Sequence, residues 1–460
     1  MFFALIARFL VICVSLFYKI RVVGRDLPKE GPVILVANHP NGLLDPLVLL
    51  TQTYPEQKIR FLAKEPLFRM PIVGSLLKLG RALPVYRRQD GYQGGDNHSI
   101  FKAVEEALQN REWICLFPEG ISYHAPHLQP FKTGAARMAL GAEAQSDFLL
   151  SVQIVPVGLH FVDKGTFRSS AVITIGECLT VGPNWRSRFA ADERQAARDL
   201  TGEIERAIQD VTVNLESWSD LPLLELAGQI FSQCDPQWRA SDPVTNLQFL
   251  AQAYASFHSQ VPQEIEKLRY ELFQFGATLE RFGLRVSDLE QRVSLVKIIK
   301  FVIRQFLAFV VGLPFAILGL VLFFVPYQAV RFLAYIKSFE LDIVATVKFM
   351  SGLVFYGIWG VGVSVYLGRV YGLKWGLSAL LLYPLLGLHT MLFTENQGKA
   401  WKNLTLMLRL LTLRSPKKLL RRERDLIYQK LEALRDRLVD QETSDAPVKL
   451  DDAEATQSPQ

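Results

Sequence analysis

Three long apolar runs without charged side chains constrain this chain more than any other feature of its sequence. They lie at residues 305–330, 349–368 and 375–394. A helix rises about 1.5 Å per residue, so a run of about 20 residues spans the hydrocarbon core of a bilayer. The last two runs fit one crossing each, whereas the first is longer and contains Pro314 and Pro326. We therefore expect two spans, preceded by one tilted helix or a bent re-entrant pair.

Basic side chains flank these runs on both sides and bear on the topology. They are Lys297, Lys300 and Arg304 before the runs, and Lys399, Lys402, Arg409, Arg414, Lys417, Lys418, Arg421 and Arg422 after them. Cytoplasmic flanks are enriched in Lys and Arg, so both flanks are predicted in the cytoplasm, which requires an even number of crossings. We expect an integral membrane protein whose first run dips and returns, with the preceding domain and the C-terminus on the cytoplasmic face.

The N-terminal segment is a second apolar stretch. Residues 2–18 are mostly apolar, with Arg8 as their one charge, and Lys19, Arg21 and Arg25 follow. A secretory signal peptide carries its positive charges first and then a small-residue cleavage site, and this order is not seen. Residues 1–25 are therefore predicted to be an uncleaved membrane-associated helix that lies in one leaflet or crosses the bilayer.

Short β-rich runs alternate with helical stretches between residues 26 and 185. The strand candidates are residues 33–37, 59–63, 82–86, 113–117, 154–161 and 171–175. Amphipathic helices are predicted at residues 45–51, 99–110 and 133–143, each between two strands. This alternation predicts an α/β domain with a mixed sheet flanked by helices.

Helical patterns dominate the rest of the chain. The predicted parts are a helical extension at 186–300, a membrane domain at 301–395, basic amphipathic helices at 396–440 and a disordered tail at 441–460. The extension is expected to break at Pro236, Pro243 and Pro262. Apolar positions near the C-terminus can seed a coiled coil, and thereby a homo-oligomer, through Leu420, Ile427, Leu431, Leu434 and Leu438.

The segment Asn38-His39-Pro40-Asn41-Gly42-Leu43-Leu44-Asp45 follows the first predicted strand and precedes a helix. The α/β folds place their sites at such strand ends. An imidazole, with an unperturbed pKa of about 6.5, can take a proton from a hydroxyl while a carboxylate holds its other nitrogen. His39 and Asp45 are therefore a candidate base and its partner. The alternative is that Asp45 only caps the next helix and His39 is a surface residue.

Three further segments carry candidate binding residues, and they are Gly80–Arg87, Leu116–Gly120 and Phe131–Arg137. Arg87 ends a predicted strand, and a guanidinium binds phosphate through paired hydrogen bonds. A turn at Gly120 presents Glu119 to substrate hydroxyls or to a neighbouring arginine. Lys132 and the amides of the helix start can bind phosphate. Taken singly, Arg87 is better explained as a solvated charge at a turn, and a turn carboxylate such as Glu119 is usually solvated.

These four segments, in this order, resemble the phospholipid/glycerol acyltransferase family, which includes glycerol-3-phosphate and lysophosphatidate acyltransferases. The resemblance covers about residues 31–176 and implies that His39 and Asp45 carry catalysis. The acceptor-site residues that it implies are Arg87 for the phosphate, with Glu119 and Gly120. One departure is that five residues separate His39 from Asp45, where the family usually has four. Gly42 can absorb the additional residue through its permissive backbone.

The five-residue spacing is more similar to a branch that includes fungal-type glycerol-3-phosphate acyltransferases, which also carry membrane segments after the catalytic domain. The resemblance therefore implies transfer of a fatty acyl group from acyl-CoA or acyl-acyl carrier protein to a glycerol phosphate, with glycerol 3-phosphate favoured. No metal and no bound cofactor is expected. Beside membrane runs, a net charge of +6 favours membrane lipids over nucleic acid as partners. Two alternatives stay open: a lysophospholipid acceptor, and an inactive lipid-binding membrane scaffold.

Overall fold

The computed structural model describes residues 2–54, 59–86, 98–337 and 343–445. Within them the chain forms two compact units. One comprises the described residues of Met1–Trp218 and Leu295–Thr405, and the other those of Ser219–Ser294 and Leu406–Gln460. The apolar helices predicted as a separate membrane domain thus belong to the same unit as the predicted α/β domain.

A mixed sheet, eight-stranded within the described residues, forms the centre of the first unit. Its strands are β1 (Tyr18–Gly24), β2 (Val33–Ala37), β3 (Ile59–Lys64), β4 (Leu83–Val85), β5 (Trp113–Leu116), β6 (Val152–Phe161), β7 (Ser169–Ile175) and β8 (Leu179–Val181). Their order is β1-β7-β6-β2-β5-β3-β4, with β8 beside β6. β6 pairs antiparallel with β7 and β8, while the other neighbours are parallel. The predicted fold class is confirmed.

Helices cover both faces of this sheet because its central strands are apolar on both sides. All five residues of β2 are buried, as is typical of a parallel strand between two layers. The surrounding helices are α1 (Phe2–Phe17), α2 (Leu44–Thr53), α3 (Pro71–Leu79), α4 (His98–Gln109), α5 (Gly134–Gln145), α6 (Arg186–Ala191) and α7 (Glu193–Val211). One core joins the sheet to α4, α5 and α7, and a second joins its other face to α1 and α2.

The N-terminal helix is shorter than expected. It does not fill residues 1–25 but ends at Phe17, and residues 18–24 form β1. Ile20 and Val22 are β-branched, which favours a strand, and β1 gains a parallel partner in β7. The sequence did not predict the short elements α3 and β8. It also assigned α7 to the extension, whereas α7 packs on the sheet.

The described residues beyond Trp218 are mostly helical. The helices are α8 (Leu221–Cys234), α9 (Pro236–Ala240), α10 (Pro243–Gln260), α11 (Pro262–Phe282), α12 (Leu295–Ile336), α13 (Val344–Tyr371), α14 (Leu373–Thr412) and α15 (Arg414–Asp445). Among the described residues, α12, α13 and α14 are long and apolar enough to cross a bilayer. This is therefore a membrane protein. A single continuous helix, α12, occupies the first apolar run.

Pro326 lies inside α12 and cannot donate the helical hydrogen bond that the carbonyl of Leu322 would accept. Nε1 of Trp359, on α13, donates to that carbonyl at 2.8 Å instead. An unsatisfied carbonyl would be costly in a membrane-spanning helix. The indole therefore lets α12 continue through the proline.

Both flanks of α12 lie near the end of the α13–α14 pair that contacts the sheet domain. At that end Glu395 of α14 is bound by Arg168 at 2.7 Å, and Lys348 of α13 donates to the carbonyl of Gly165 at 2.6 Å. Phe309, early in α12, has its ring 5.9 Å from the ring of Phe393. Leu333, near the other end of α12, lines the same cavity as Thr346 and Val347 at the start of α13. The start of α13 also belongs to the core beneath the sheet.

The second unit is a helical bundle whose breaks follow the prolines. Pro236, Pro243 and Pro262 each stand in the first turn of a helix, as predicted. The described apolar side chains proposed for a coiled coil are buried inside this unit, namely Leu420, Ile427, Leu431 and Leu434. The tail differs from expectation, because α15 continues to Asp445 through good helix formers such as Gln441 and Glu442. Residues 446–460 lie outside the described residues.

Candidate active site

Two loops meet at one edge of the sheet and build the site. Residues 38–43 follow β2, and residues 117–133 follow β5. β2 and β5 are parallel neighbours, so their carboxyl ends lie side by side. This is the edge at which open α/β sheets bind ligands.

His39 and Asp45 are in direct contact. Nδ1 of His39 lies 2.8 Å from Oδ2 of Asp45, and the backbone N–H of Asn41 donates to the same oxygen at 2.8 Å. The N-cap of α2 is Leu43, so Asp45 does not serve as the cap. With its proton on Nδ1, the imidazole donates to Asp45 and leaves Nε2 to accept a proton.

Gly42 accommodates the additional residue between them, as predicted. Its φ of +55° is left-handed, a conformation that glycine adopts without strain. Turn hydrogen bonds follow from Leu44 N to Asn41 O at 3.2 Å and from Asp45 N to Gly42 O at 3.3 Å. The N–H of Gly42 also donates to Oγ of Ser122 at 3.0 Å, which ties this loop to the one after β5.

Burial sets the electrostatics of Asp45. The side chain is fully buried, and this desolvation raises the pKa of its carboxyl above the ordinary value. Hydrogen bonds from His39 and from the N–H of Asn41 oppose the rise in pKa because they favour the charged form. The ring of His39 stacks on Phe117, with centroids 4.1 Å apart. The imidazole is therefore held by a carboxylate on one side and an aromatic face on the other.

Glu119 supports the backbone of this loop. Its Oε1 accepts from the N–H of His39 at 3.0 Å, and its Oε2 accepts from the N–H of Gln129 at 3.1 Å. Burial raises the pKa of the Glu119 carboxyl, and the two N–H donors oppose this. Both oxygens of Glu119 thus accept from the backbone, and its contact with substrate hydroxyls or a neighbouring arginine stays a prediction.

Gly120 and Lys132 lie against each other. Gly120 has a φ of +76°, and a Cβ at this position would stand 2.3 Å from Nζ of Lys132. The N–H of Lys132 donates to the carbonyl of Pro118 at 2.9 Å. The absence of a side chain at Gly120 therefore leaves the space in which the Lys132 ammonium lies.

A cavity of about 1470 Å³ opens beside these groups. His39 lines it together with three basic side chains, Lys64, Lys132 and Arg137. The rest of the lining is mostly apolar and includes side chains of α1, α3 and the start of α13, such as Leu10, Leu76, Val347 and Met350. The cavity thus has an imidazole and cations beside an apolar volume that suits a hydrocarbon chain.

Five of the six predicted site residues lie in the described part of the chain, and the structure brings them together. His39, Asp45, Glu119, Gly120 and Lys132 lie around the two loops, while Arg87 lies outside the described residues. Sequence reasoning missed Lys64 and Ser122 as members of the site. Lys64 ends β3, a neighbour of β5, so its position at a strand end was a usable signal.

Residues 19–160 match the family model described as Acyltransferase. Glycerol-3-phosphate O-acyltransferase 2 of Saccharomyces cerevisiae is 28% identical over 196 residues, which cover 43% of this chain and 26% of that protein. Glycerol-3-phosphate O-acyltransferase 1 of the same yeast is 22% identical over 455 residues, covering 76% and 59%. Human 1-acyl-sn-glycerol-3-phosphate acyltransferase alpha is 26% identical over 179 residues, covering 38% and 57%.

Among solved structures, the 1-acyl-sn-glycerophosphate (LPA) acyltransferase of Thermotoga maritima is similar with a TM-score of 0.32 and 21% identity. The match covers 45% of this chain and 79% of that one. The chain spans less than two thirds of the length of the two yeast relatives.

Proposed function

We propose that this chain, whose residues 19–160 form an acyltransferase domain, moves a fatty acyl group from an acyl thioester to a hydroxyl of glycerol 3-phosphate. The observation that carries this proposal is the 2.8 Å contact of His39 with Asp45 beside a large, mostly apolar cavity. The similarity to two yeast glycerol-3-phosphate acyltransferases supports the acceptor.

In the mechanism, Nε2 of His39 takes the proton of the acceptor hydroxyl as its oxygen attacks the thioester carbonyl carbon. Asp45 stabilises the imidazolium that forms. The tetrahedral intermediate collapses, the C–S bond breaks, and the departing sulfur takes the proton back from Nε2. The products are an ester and a free thiol, and His39 ends in its starting form.

The two substrates divide the cavity between them. The acyl chain lies among the apolar side chains that α1, α3 and α13 contribute. Lys64, Lys132 and Arg137 bind the acceptor phosphate, and Arg87 joins them as the phosphate ligand implied by the resemblance. Binding the anion and the hydrocarbon in the cavity that His39 lines brings the acceptor hydroxyl and the thioester together at Nε2.

A second candidate acceptor is lysophosphatidate, because the human relative is a 1-acylglycerol-3-phosphate acyltransferase. Purified full-length chain in lipid–detergent micelles separates the two when palmitoyl-CoA or palmitoyl-acyl carrier protein is offered with either acceptor. We expect acylation of glycerol 3-phosphate, and a loss of turnover in folded His39→Ala. Exclusive acylation of lysophosphatidate would change the acceptor. Turnover retained by His39→Ala would refute the base, and an inert wild-type chain would favour the lipid-binding scaffold.

We also infer that the sheet domain, both flanks of α12 and the C-terminus face the cytoplasm, with α13 and α14 as the crossings. The contacts of Lys348 with Gly165 and of Arg168 with Glu395 place the start of α13 and the Glu395 region of α14 beside the sheet domain, which supports one side of the membrane for all three. The basic residues around the apolar runs support the cytoplasmic side. A cysteine at position 337 should be labelled by a membrane-impermeant reagent only in inverted vesicles, and labelling from outside would overturn this topology.

A further inference from the structure

Asn41 occupies the centre of the loop between His39 and Asp45. It is fully buried, and its backbone N–H donates to Oδ2 of Asp45 at 2.8 Å. Oδ2 therefore receives this N–H as well as the ring of His39. A movement of Asn41 would change the oxygen that orients the imidazole.

The side chain of Asn41 anchors the loop to the sheet. Its Nδ2 donates to the hydroxyl of Tyr18 at 2.9 Å, and that hydroxyl donates to the carbonyl of Lys164 at 2.5 Å. Tyr18 begins β1 and is itself fully buried, with its ring 5.2 Å from that of Phe161. The anchor is thus rigid, because it consists of a packed ring and strand backbone.

Stability alone does not account for Asn41. Among the described residues its Oδ1 is buried and has no hydrogen-bond partner, and the same holds for Oδ1 of Asp45. A buried acceptor without a donor costs stability, which offsets what the bond from Nδ2 to Tyr18 contributes. A contribution to catalytic geometry explains why this amide is useful.

We propose that Asn41 is a positioning residue for acyl transfer and that Tyr18 is its anchor. Together they fix the longer His–Asp loop so that Asp45 meets Nδ1 of His39. This assignment rests on the proposed function, since it concerns the geometry of the same catalytic pair. It predicts that loss of either group slows the chemical step and leaves substrate binding intact.

Steady-state kinetics of the full-length chain with palmitoyl-CoA and the acceptor that the wild type acylates test this assignment. Asn41→Ala and Tyr18→Phe should each lower kcat by about tenfold to a hundredfold, the loss expected from a displacement of about 1 Å. The KM values for donor and acceptor should stay within about twofold, since neither group belongs to the substrate cavity. The double variant should be no slower than the slower single variant, because both act on one contact.

Thr201→Val is the matched control, since it removes a buried hydroxyl that donates to the carbonyl of Ala197 on α7. It should leave kcat unchanged. Near-wild-type kcat in Asn41→Ala, multiplicative losses in the double variant, or an equal loss in Thr201→Val would each overturn the assignment. A wild-type chain without turnover overturns the proposed function and this assignment with it. Wild-type turnover with an unimpaired Asn41→Ala overturns the assignment alone.

Discussion

The loop that carries His39 and the apolar wall of the cavity beside it are held by different forces. In the loop, Asp45 and Glu119 are buried carboxylates, and each accepts two hydrogen bonds of 2.8–3.1 Å. In the wall, side chains such as Leu10, Val347 and Met350 make non-directional apolar contacts. Hydrogen bonds fix the positions of individual atoms, whereas apolar packing mainly fixes a volume.

This difference separates two kinds of functional information. Under the proposed function, the loop determines whether a proton can move, because a displacement of a few tenths of an ångström weakens a hydrogen bond. Under the same proposal, the wall determines which hydrocarbon chain fits, because a methylene group without space is excluded. Substitutions in the loop should therefore change the rate for every substrate, and substitutions in the wall should change the choice among substrates.

The largest effect is expected in the loop, from Asp45→Asn. An amide cannot stabilise the imidazolium and favours the wrong tautomer of His39, so kcat should fall by about 10³- to 10⁴-fold for donors of every chain length. Turnover measured with octanoyl-CoA and palmitoyl-CoA checks this. A loss confined to one chain length would break the distinction between loop and wall.

The same substitution should not destabilise the fold at neutral pH. Because burial raises the folded-state pKa of Asp45, its ionisation costs stability as pH rises from the unfolded-state pKa through the folded-state pKa. Asp45→Asn lacks this cost. Its melting temperature in detergent, relative to that of the wild type, should therefore increase from acidic to neutral pH. A relative decrease over that range would show that the carboxylate stabilises the fold.

The next effect is expected in the wall, from Val347→Trp. The indole would fill cavity volume at the start of α13. The ratio of kcat/KM for palmitoyl-CoA to that for octanoyl-CoA should fall by about tenfold or more, as a lost methylene site costs about 1–3 kcal/mol. The rate with octanoyl-CoA should change little.

Val361→Trp is the matched control for this wall substitution. Val361 lies on the same helix but is 55% exposed, and the cavity lining does not include it. Its substitution should leave the chain-length ratio unchanged. Equal ratios in Val347→Trp and the wild type would remove α13 from the acyl site.

Local sequence predicted the loop better than the wall. His39, Gly42 and Asp45 lie within residues 39–45. In so short a segment, spacing and residue type predict both the His39–Asp45 contact and the left-handed Gly42. The predicted site residues that the structure describes lie close together around the two loops, and Arg87 lies outside the described residues. The backbone contacts of Glu119 were not predicted because the N–H groups of His39 and Gln129 come within its reach only when β2 and β5 are adjacent.

The wall could not be predicted because an apolar side chain does not show whether it packs against lipid or against protein. Phe349 begins a run that the sequence assigns to lipid, and Ala345 lies just before that run. Both side chains are nevertheless buried against the sheet. A lipid tail and a protein core select the same residue types. Tyr18 presents the same difficulty, because it follows an apolar helix and its hydroxyl partners are 23 and 146 residues away.

The smallest effect is expected where a directional bond lies within the apolar helices, at Trp359. Trp359→Phe removes the N–H that serves the carbonyl of Leu322 and keeps most of the ring. Such bonds between membrane helices contribute about 0.6–1.7 kcal/mol, so the melting temperature in detergent should fall by a few degrees. Trp375→Phe, at a site 64% exposed on α14, should not lower the melting temperature.

Turnover and the chain-length ratio of Trp359→Phe should stay within about twofold, because the bond from Trp359 to the Leu322 carbonyl supports α12 without touching loop or cavity. A rate loss in Trp359→Phe as large as that of Asp45→Asn would mean that the apolar helices, too, control proton transfer.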